Sequence, residues 1–152
     1  MLRKSLLLAI TVCLFSVPSV GNQDSSPDVR VELSGQKPLW LHITIRSRAD
    51  SRATFYKYRL PWGNLNSMRL VAMTPREDYL ERSYPIDDPS PEEVSFEPSE
   101  QQTGDINLQM KIVGLDAALK KSDIVLFWAY EAPKELKIPR YSGGWILIPQ
   151  QK

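Results

Sequence analysis

The chain has 152 residues, 42% of them hydrophobic, which suits one domain with one sizeable core. Its 19 Lys and Arg nearly balance its 18 Asp and Glu, and without Arg3 and Lys4 the balance is 17 to 18. A nearly neutral chain gives no electrostatic basis for binding nucleic acid or an anionic membrane surface, so neither is expected as a partner.

The N-terminus has the pattern of a signal peptide. Arg3 and Lys4 form a positive segment, residues 6–17 form an uninterrupted apolar or small run, Pro18 ends it, and residues 19–21 are small enough for cleavage. The run is too short to cross a bilayer core of about 30 Å as a helix. A membrane anchor left in place is the alternative.

We therefore expect three parts in the chain. Residues 1–21 are predicted to be a signal peptide, residues 22–27 a polar spacer, and residues 28–152 the folded domain. The expected location is the periplasm or the cell exterior, with no membrane insertion after cleavage.

Short segments with alternating apolar residues or a high content of β-branched and aromatic residues recur along the domain, and these patterns are typical of strands. Pro61 stops one of them, and Pro89 and Pro91 exclude regular structure between two others. The predicted strands cover residues 28–33, 39–45, 53–60, 68–73, 79–84, 93–98, 105–111, 123–130 and 143–149.

The central part of the domain is predicted to be residues 104–130. A strand with Ile106, Leu108 and Met110 inward precedes one short helical turn at residues 114–121. The next strand, residues 123–130, is apolar almost throughout, as in a central strand covered on both faces. The order and spacing of these elements predict an all-β domain, an antiparallel two-sheet sandwich or a small barrel rather than an α/β fold, and the strand entry at Asp123 favours the sandwich.

This central part resembles the corner before the last two strands of immunoglobulin-like domains. The resemblance lies in the alternating apolar strand, the helical turn with Leu115, the strand entry at Asp123, and the aromatic residues Trp128 and Tyr130. It implies an immunoglobulin-like β-sandwich of bacterial exported proteins. The antibody-type cysteine pair is missing, and sandwich folds host unrelated activities, so the resemblance implies a fold and no function.

A second resemblance is to the bacterial intracellular proteinase inhibitor family. Residues 94–100 are similar to the strand and Pro-Gly-Glu-like turn of those domains, with Ser99 where Gly is usual. Inhibition of a protease by a surface loop, residues 60–64 or 86–93, is therefore the alternative function.

The composition argues against catalytic and metal chemistry. Cys13, within the predicted leader, is the sole cysteine, and His42 is the sole histidine, on the Trp40/Thr44 face of its strand. No nucleophile motif accompanies His42, and a zinc site of the usual kinds lacks ligands. Asp87, Asp88, Glu92 and Glu93 match no calcium loop. We expect no enzyme activity, no cofactor and no metal.

The loop at residues 60–64 is the predicted binding site. Trp62 lies between Pro61 and Gly63, outside any alternating pattern, and rigid aromatic residues on loops are frequent anchors of binding surfaces. The predicted site comprises Trp62 with Tyr56, Tyr58, Arg59 and Asn64. In the alternative interpretation Trp62 closes one end of the core. Trp40 and Trp128 are expected in the core, and Trp145 in the core or on a partly covered strand.

These observations favour an exported, non-catalytic immunoglobulin-like domain. Its expected role is to bind a protein partner of unknown identity, or to serve as an accessory module of the cell envelope. A hydrolase built from carboxylates and His42 is the least favoured alternative, because no such constellation is visible in the sequence.

Overall fold

A computed structural model describes residues 27–35, 37–64, 67–76, 78–83 and 91–151. The predicted signal peptide, most of the predicted spacer, and residues 86–90 of the second candidate inhibitory loop lie outside these ranges. The described part is an all-β domain with antiparallel sheets and two short helices, so the predicted all-β class is confirmed. No helix in these ranges is long and apolar enough to span a bilayer.

The described residues form a three-stranded sheet, a two-stranded sheet and a four-stranded sheet, all antiparallel. In order of chain position, the strands are β1 (Val29–Ser34), β2 (Trp40–Arg46), β3 (Ala53–Tyr56), β4 (Met68–Met73), β5 (Tyr79–Leu80), β6 (Glu93–Phe96), β7 (Gln101–Asn107), β8 (Ile124–Glu131) and β9 (Tyr141–Ile148). The sheet orders are β1-β2-β7, β3-β6 and β5-β4-β8-β9.

The two larger sheets bury one side each in a common hydrophobic cluster. The alternation of apolar and polar residues along each strand decides which side is inward, because successive side chains point to opposite faces. The inward residues are Val29 and Val31 of β1; Leu41, Ile43 and Ile45 of β2; Ile106 of β7; Leu70 and Ala72 of β4; Leu126, Trp128 and Tyr130 of β8; and Ile146 and Ile148 of β9.

The predicted strand at residues 105–111 is wrong in its bounds. β7 begins earlier, at Gln101, and ends at Asn107, after which Leu108–Lys111 forms the helix α1. The Asn107 side chain causes the switch, because its Oδ1 accepts hydrogen bonds from the N–H groups of Gln109 (3.0 Å) and Met110 (3.3 Å). Met110, predicted to point inward, is 64% exposed.

The connection from β7 to β8 therefore holds two helices, α1 and α2 (Leu115–Leu119), rather than one helical turn. Leu115 and Leu119 are buried, and Ala118 is partly buried against the core. Gln109 ties this connection to the sheet. Its Oε1 accepts the N–H of Leu39 at 2.9 Å, and its Nε2 donates to Asp116 Oδ1 at 3.2 Å.

β8 is central in its sheet, between β4 and β9, as predicted. The prediction that both of its faces are covered is wrong for the single chain. Ile124, Leu126, Trp128 and Tyr130 are buried, whereas Phe127 on the opposite face is 41% exposed.

Two other predicted strands are shorter in the structure. The segment predicted at residues 53–60 ends as a strand at Tyr56 and continues as a 3-10 turn, Lys57–Arg59. The segment predicted at residues 79–84 forms the two-residue strand β5, followed by a bridge between Arg82 and Ile112.

Candidate binding site

The loop that carries Trp62 is folded back against the domain. Leu60 and Pro61 are buried, and successive turns are closed by bonds from Leu60 N–H to Lys57 O and from Gly63 N–H to Leu60 O, both 2.9 Å. A Cβ at Gly63 would overlap the carbonyl of Lys57, so this close approach requires glycine. The loop is a fixed part of the surface.

Trp62 is half-buried and packs against the core cluster. Its ring lies on Gly104 of β7, where a Cβ would overlap the ring atoms. Gly104 and its register partner Ile43 share the inward face of the three-stranded sheet. Trp62 thus covers the inner side of β7 with one part of its ring while another part remains accessible.

An open cleft of about 300 Å³ lies beside Trp62. It brings together an aromatic residue from β2, the loop with Trp62, the end of β7 and helix α1. Its lining residues are Trp40, Trp62, Gly63, Asn64, Asp105, Ile106, Asn107, Met110 and Lys111. The surface is mainly apolar with polar groups at one side, which is the usual composition of a site that anchors a side chain.

Two of the predicted site residues, Trp62 and Asn64, line this cleft, and three do not. The rings of Tyr56 and Tyr58 stack on each other, with centroids 5.5 Å apart and planes at 12°. Arg59 Nη1 lies 3.3 Å from Glu135 Oε2, and the Arg59 carbonyl accepts the Tyr130 hydroxyl at 3.0 Å. Tyr56, Tyr58 and Arg59 thus lie outside the lining of the cleft.

β7 offers an edge next to the cleft. It pairs with β2, and among the described strands none pairs with its other edge. Leu108 N–H donates to Leu39 O at 3.0 Å, so Leu39 and Leu108 form a hydrogen-bonded pair. In an antiparallel ladder such pairs alternate with pairs that exchange no hydrogen bond. Thr103 and Asp105 belong to the pairs without hydrogen bonds, so their backbone N–H and C=O groups point away from β2. Both residues are exposed.

His42 and Asp105 face each other across β2 and β7, with Nδ1 and Oδ1 2.8 Å apart. A carboxylate only accepts, so the His42 N–H donates this bond. The imidazole lies on the outer side of the sheet, as the sequence predicts, and its other register partner is Glu32 of β1. The pair lies at the surface, with the His42 and Asp105 side chains 39% and 53% exposed.

A second cleft, of about 460 Å³, lies between the β1–β2 turn and the end of β9. Lys37 is its charged lining residue, and Lys37 Nζ is 3.7 Å from Asp116 Oδ2. Within the described ranges no group of three or more His, Cys, Asp or Glu side chains could hold a metal ion. The second cleft thus presents no cluster of titratable groups for chemistry.

The sequence interpretation missed three contributors to the first cleft. Trp40 was expected in the core, yet it is half-buried and lines the cleft; its position on the His42 face was the signal for this. Asn107 and Met110 were assigned to a continuing strand. The Asn-Leu-Gln sequence, with a capping residue before a helix-forming segment, was the overlooked signal.

No family model matches the chain, and no curated protein and no solved structure matches it either.

Proposed function

We propose that this chain is an exported, non-catalytic, immunoglobulin-like domain that binds another protein in the cell envelope. The leader pattern of residues 1–21 supports export. The strand orders β1-β2-β7 and β5-β4-β8-β9, which share one core and are joined by a helical corner, support the immunoglobulin-like arrangement.

The observation that carries the binding role is the edge of β7, free among the described strands, beside the cleft with two tryptophans. Exposed backbone donors and acceptors on an edge strand are a template for an added strand. Thr103 and Asp105 present such groups, and Trp40 and Trp62 lie in the adjoining cleft. The arrangement fits an extended protein segment that pairs with β7 and places one apolar side chain in the cleft.

The backbone and the cleft have separate tasks in this proposal. Hydrogen bonds to Thr103 and Asp105 provide affinity without sequence selectivity, because every partner segment has the same backbone groups. The cleft selects an apolar side chain of suitable size, since Trp40, Trp62 and Met110 give it apolar walls.

The test begins with cross-linking of the exported protein in its own envelope and purification of the bound protein. The dissociation constant is then measured for the original protein and for Thr103→Pro. Proline removes the outward N–H, and an edge position tolerates it because this N–H is not in the ladder. Thr103→Val is the matched control, because it keeps the backbone donor. We expect at least tenfold weaker binding for the proline variant alone.

Trp40→Ala tests the cleft independently of the edge and should also weaken binding. Equal dissociation constants for the original, Thr103→Pro and Trp40→Ala proteins would refute binding at this site. Protease inhibition is the competing outcome. Slowing of a protease by the purified domain would favour it, although the burial of Leu60 and Pro61 disfavours residues 60–64 as a protruding inhibitory loop.

A further inference from the structure

The outer faces of the two larger sheets differ in chemistry. Outward positions of the three-stranded sheet carry mostly polar residues, among them Arg30, Glu32, His42, Thr103 and Asp105. On the four-stranded sheet, two rows of apolar side chains run across all or most of the strands. We call these residues the apolar face: Val71, Phe127 and Trp145 in one row, and Tyr79, Met73, Val125 and Leu147 in the other.

Much of the apolar face is open to solvent in the single chain. Val71, Tyr79, Phe127 and Leu147 are between 41% and 71% exposed, and the other three members are half-buried. Together these residues expose roughly 500 Å² of mainly apolar surface, a value near the upper end for the largest patch on a monomer. Contiguous patches of this size usually mark a contact surface.

Charged groups flank the apolar rows on this side of the sheet. Exposed Asp78 and Glu81 lie on either side of β5, and Asp123 precedes β8 at one end. Arg69 and Glu131 occupy outward positions at the other end, and Glu131 Oε1 is 2.7 Å from Arg140 Nη2. The guanidinium of Arg140 also lies 5.1 Å from the centre of the Tyr141 ring. Among the described residues, the two apolar rows themselves contain no charged side chain. An apolar partner surface laid over the two rows would therefore cover no charge within them, and the charged groups would remain at the margins.

We propose that the apolar face is an isologous interface with a second copy of this chain. A standard interface buries about 800 Å² per partner, of which about 65% is apolar at its centre. The apolar face supplies an area of that order, and Arg69, Ala129, Glu131 and Tyr141 form a rim of the right composition. A second copy brings the same uncharged rows, so the contact is self-complementary and closes as a two-fold dimer.

The dimer also accounts for the sequence of β8. Residues 123–130 have the near-continuous apolar pattern of a strand covered on both faces, and the single chain covers one. The second copy supplies the missing layer over Val125 and Phe127. The free edge of β7 and the cleft with Trp62 are on the other sheet, so the dimer and the proposed binding site are compatible and independent.

Sedimentation velocity of the purified protein over a concentration series tests the dimer. We expect a reversible dimer at micromolar concentration and at least a 100-fold weaker association for Phe127→Lys, because lysine would be buried without a partner at the centre of the contact. Gln101→Lys, an exposed strand position on the other sheet, is the matched control and should leave association unchanged.

Leu147→Lys on the neighbouring strand provides a second variant in case Phe127→Lys perturbs folding, which far-ultraviolet circular dichroism would reveal. A protein that sediments as a monomer at concentrations on the order of 100 μM overturns the proposal. Equal dissociation constants for the original protein, Phe127→Lys and Leu147→Lys overturn it as well. Binding of the monomer to neutral phospholipid vesicles, lost in Phe127→Lys, would assign the face to a lipid surface instead.

Discussion

Gly104→Ala is expected to destabilise the protein only while Trp62 is present. The Cβ of alanine would overlap the Trp62 ring, and even the third-nearest ring atom, Cε2, would be 2.5 Å away. Such overpacking costs about 1–3 kcal/mol, because the ring must leave its position on β7. In a Trp62→Ala protein the overlap is gone, and replacing a strand glycine with alanine should then stabilise by about 0.5–1 kcal/mol.

The two substitutions should therefore show a coupling of about 2–3 kcal/mol in a double-mutant cycle. Trp62→Ala alone should cost about 1.5–3 kcal/mol, less than the 3–5 kcal/mol of a fully buried aromatic residue, since Trp62 is half-buried. Urea denaturation of the four proteins gives the free energies of unfolding, provided that their m-values agree. Additive effects, with coupling below about 0.5 kcal/mol, would refute the contact between Trp62 and Gly104.

Three further predictions concern other parts of the fold. Gly63→Ala should lower the free energy of unfolding by about 2–3 kcal/mol, because the new Cβ meets the Lys57 backbone rather than a movable side chain. A loss below about 0.5 kcal/mol in urea denaturation would contradict this prediction. Ser142→Ala should be neutral or stabilising by up to about 1 kcal/mol, because the buried Ser142 hydroxyl has no hydrogen-bond partner in the described structure. Clear destabilisation in urea denaturation would show that this hydroxyl is hydrogen-bonded. Burial raises the pKa of the Tyr130 phenol. Its contribution to the free energy of unfolding is therefore complete below the unfolded-state pKa of about 10 and is lost as the pH rises further. Tyr130→Phe should therefore cost about 1 kcal/mol at pH 8 through loss of the bond to Arg59 O. At pH 11 ionisation of Tyr130 stabilises the unfolded original protein by about 1.4 kcal/mol, so the order should reverse and the variant should be more stable by about 0.4 kcal/mol. An unchanged difference between the two proteins would refute the argument.

Period-two patterns predicted most of the described strands because one face of each sheet is buried. β4 matches the predicted residues 68–73, and β1 and β2 match within one residue at each end. The same pattern failed after Asn107, where alternation of Leu108 and Met110 continued by chance into a helix. There the backbone N–H groups of Gln109 and Met110 donate to the Asn107 side chain, and these local bonds decide the backbone conformation. The spacing of hydrophobic residues carries no information about such bonds.

The candidate site was harder to predict than the fold. Trp62 and Asn64 were identified because an aromatic residue between proline and glycine fits no strand pattern. The contact of Trp62 with Gly104 joins positions 42 residues apart, and only the pairing of β2 with β7 brings Trp40 to the same cleft. Tyr56, Tyr58 and Arg59 were near Trp62 in sequence, yet the 3-10 turn directs their contacts elsewhere.

The double role of Gln109 restricts which residues can occupy two positions of any related chain. Its Oε1 accepts from Leu39 N–H, and its Nε2 donates to Asp116. Glutamate at 109 would keep the acceptor but set a second carboxylate against Asp116, so a basic residue at 116 should accompany it. Relatives that share this corner are thus expected to change positions 109 and 116 together, and such paired changes seven residues apart would identify the corner in otherwise dissimilar sequences.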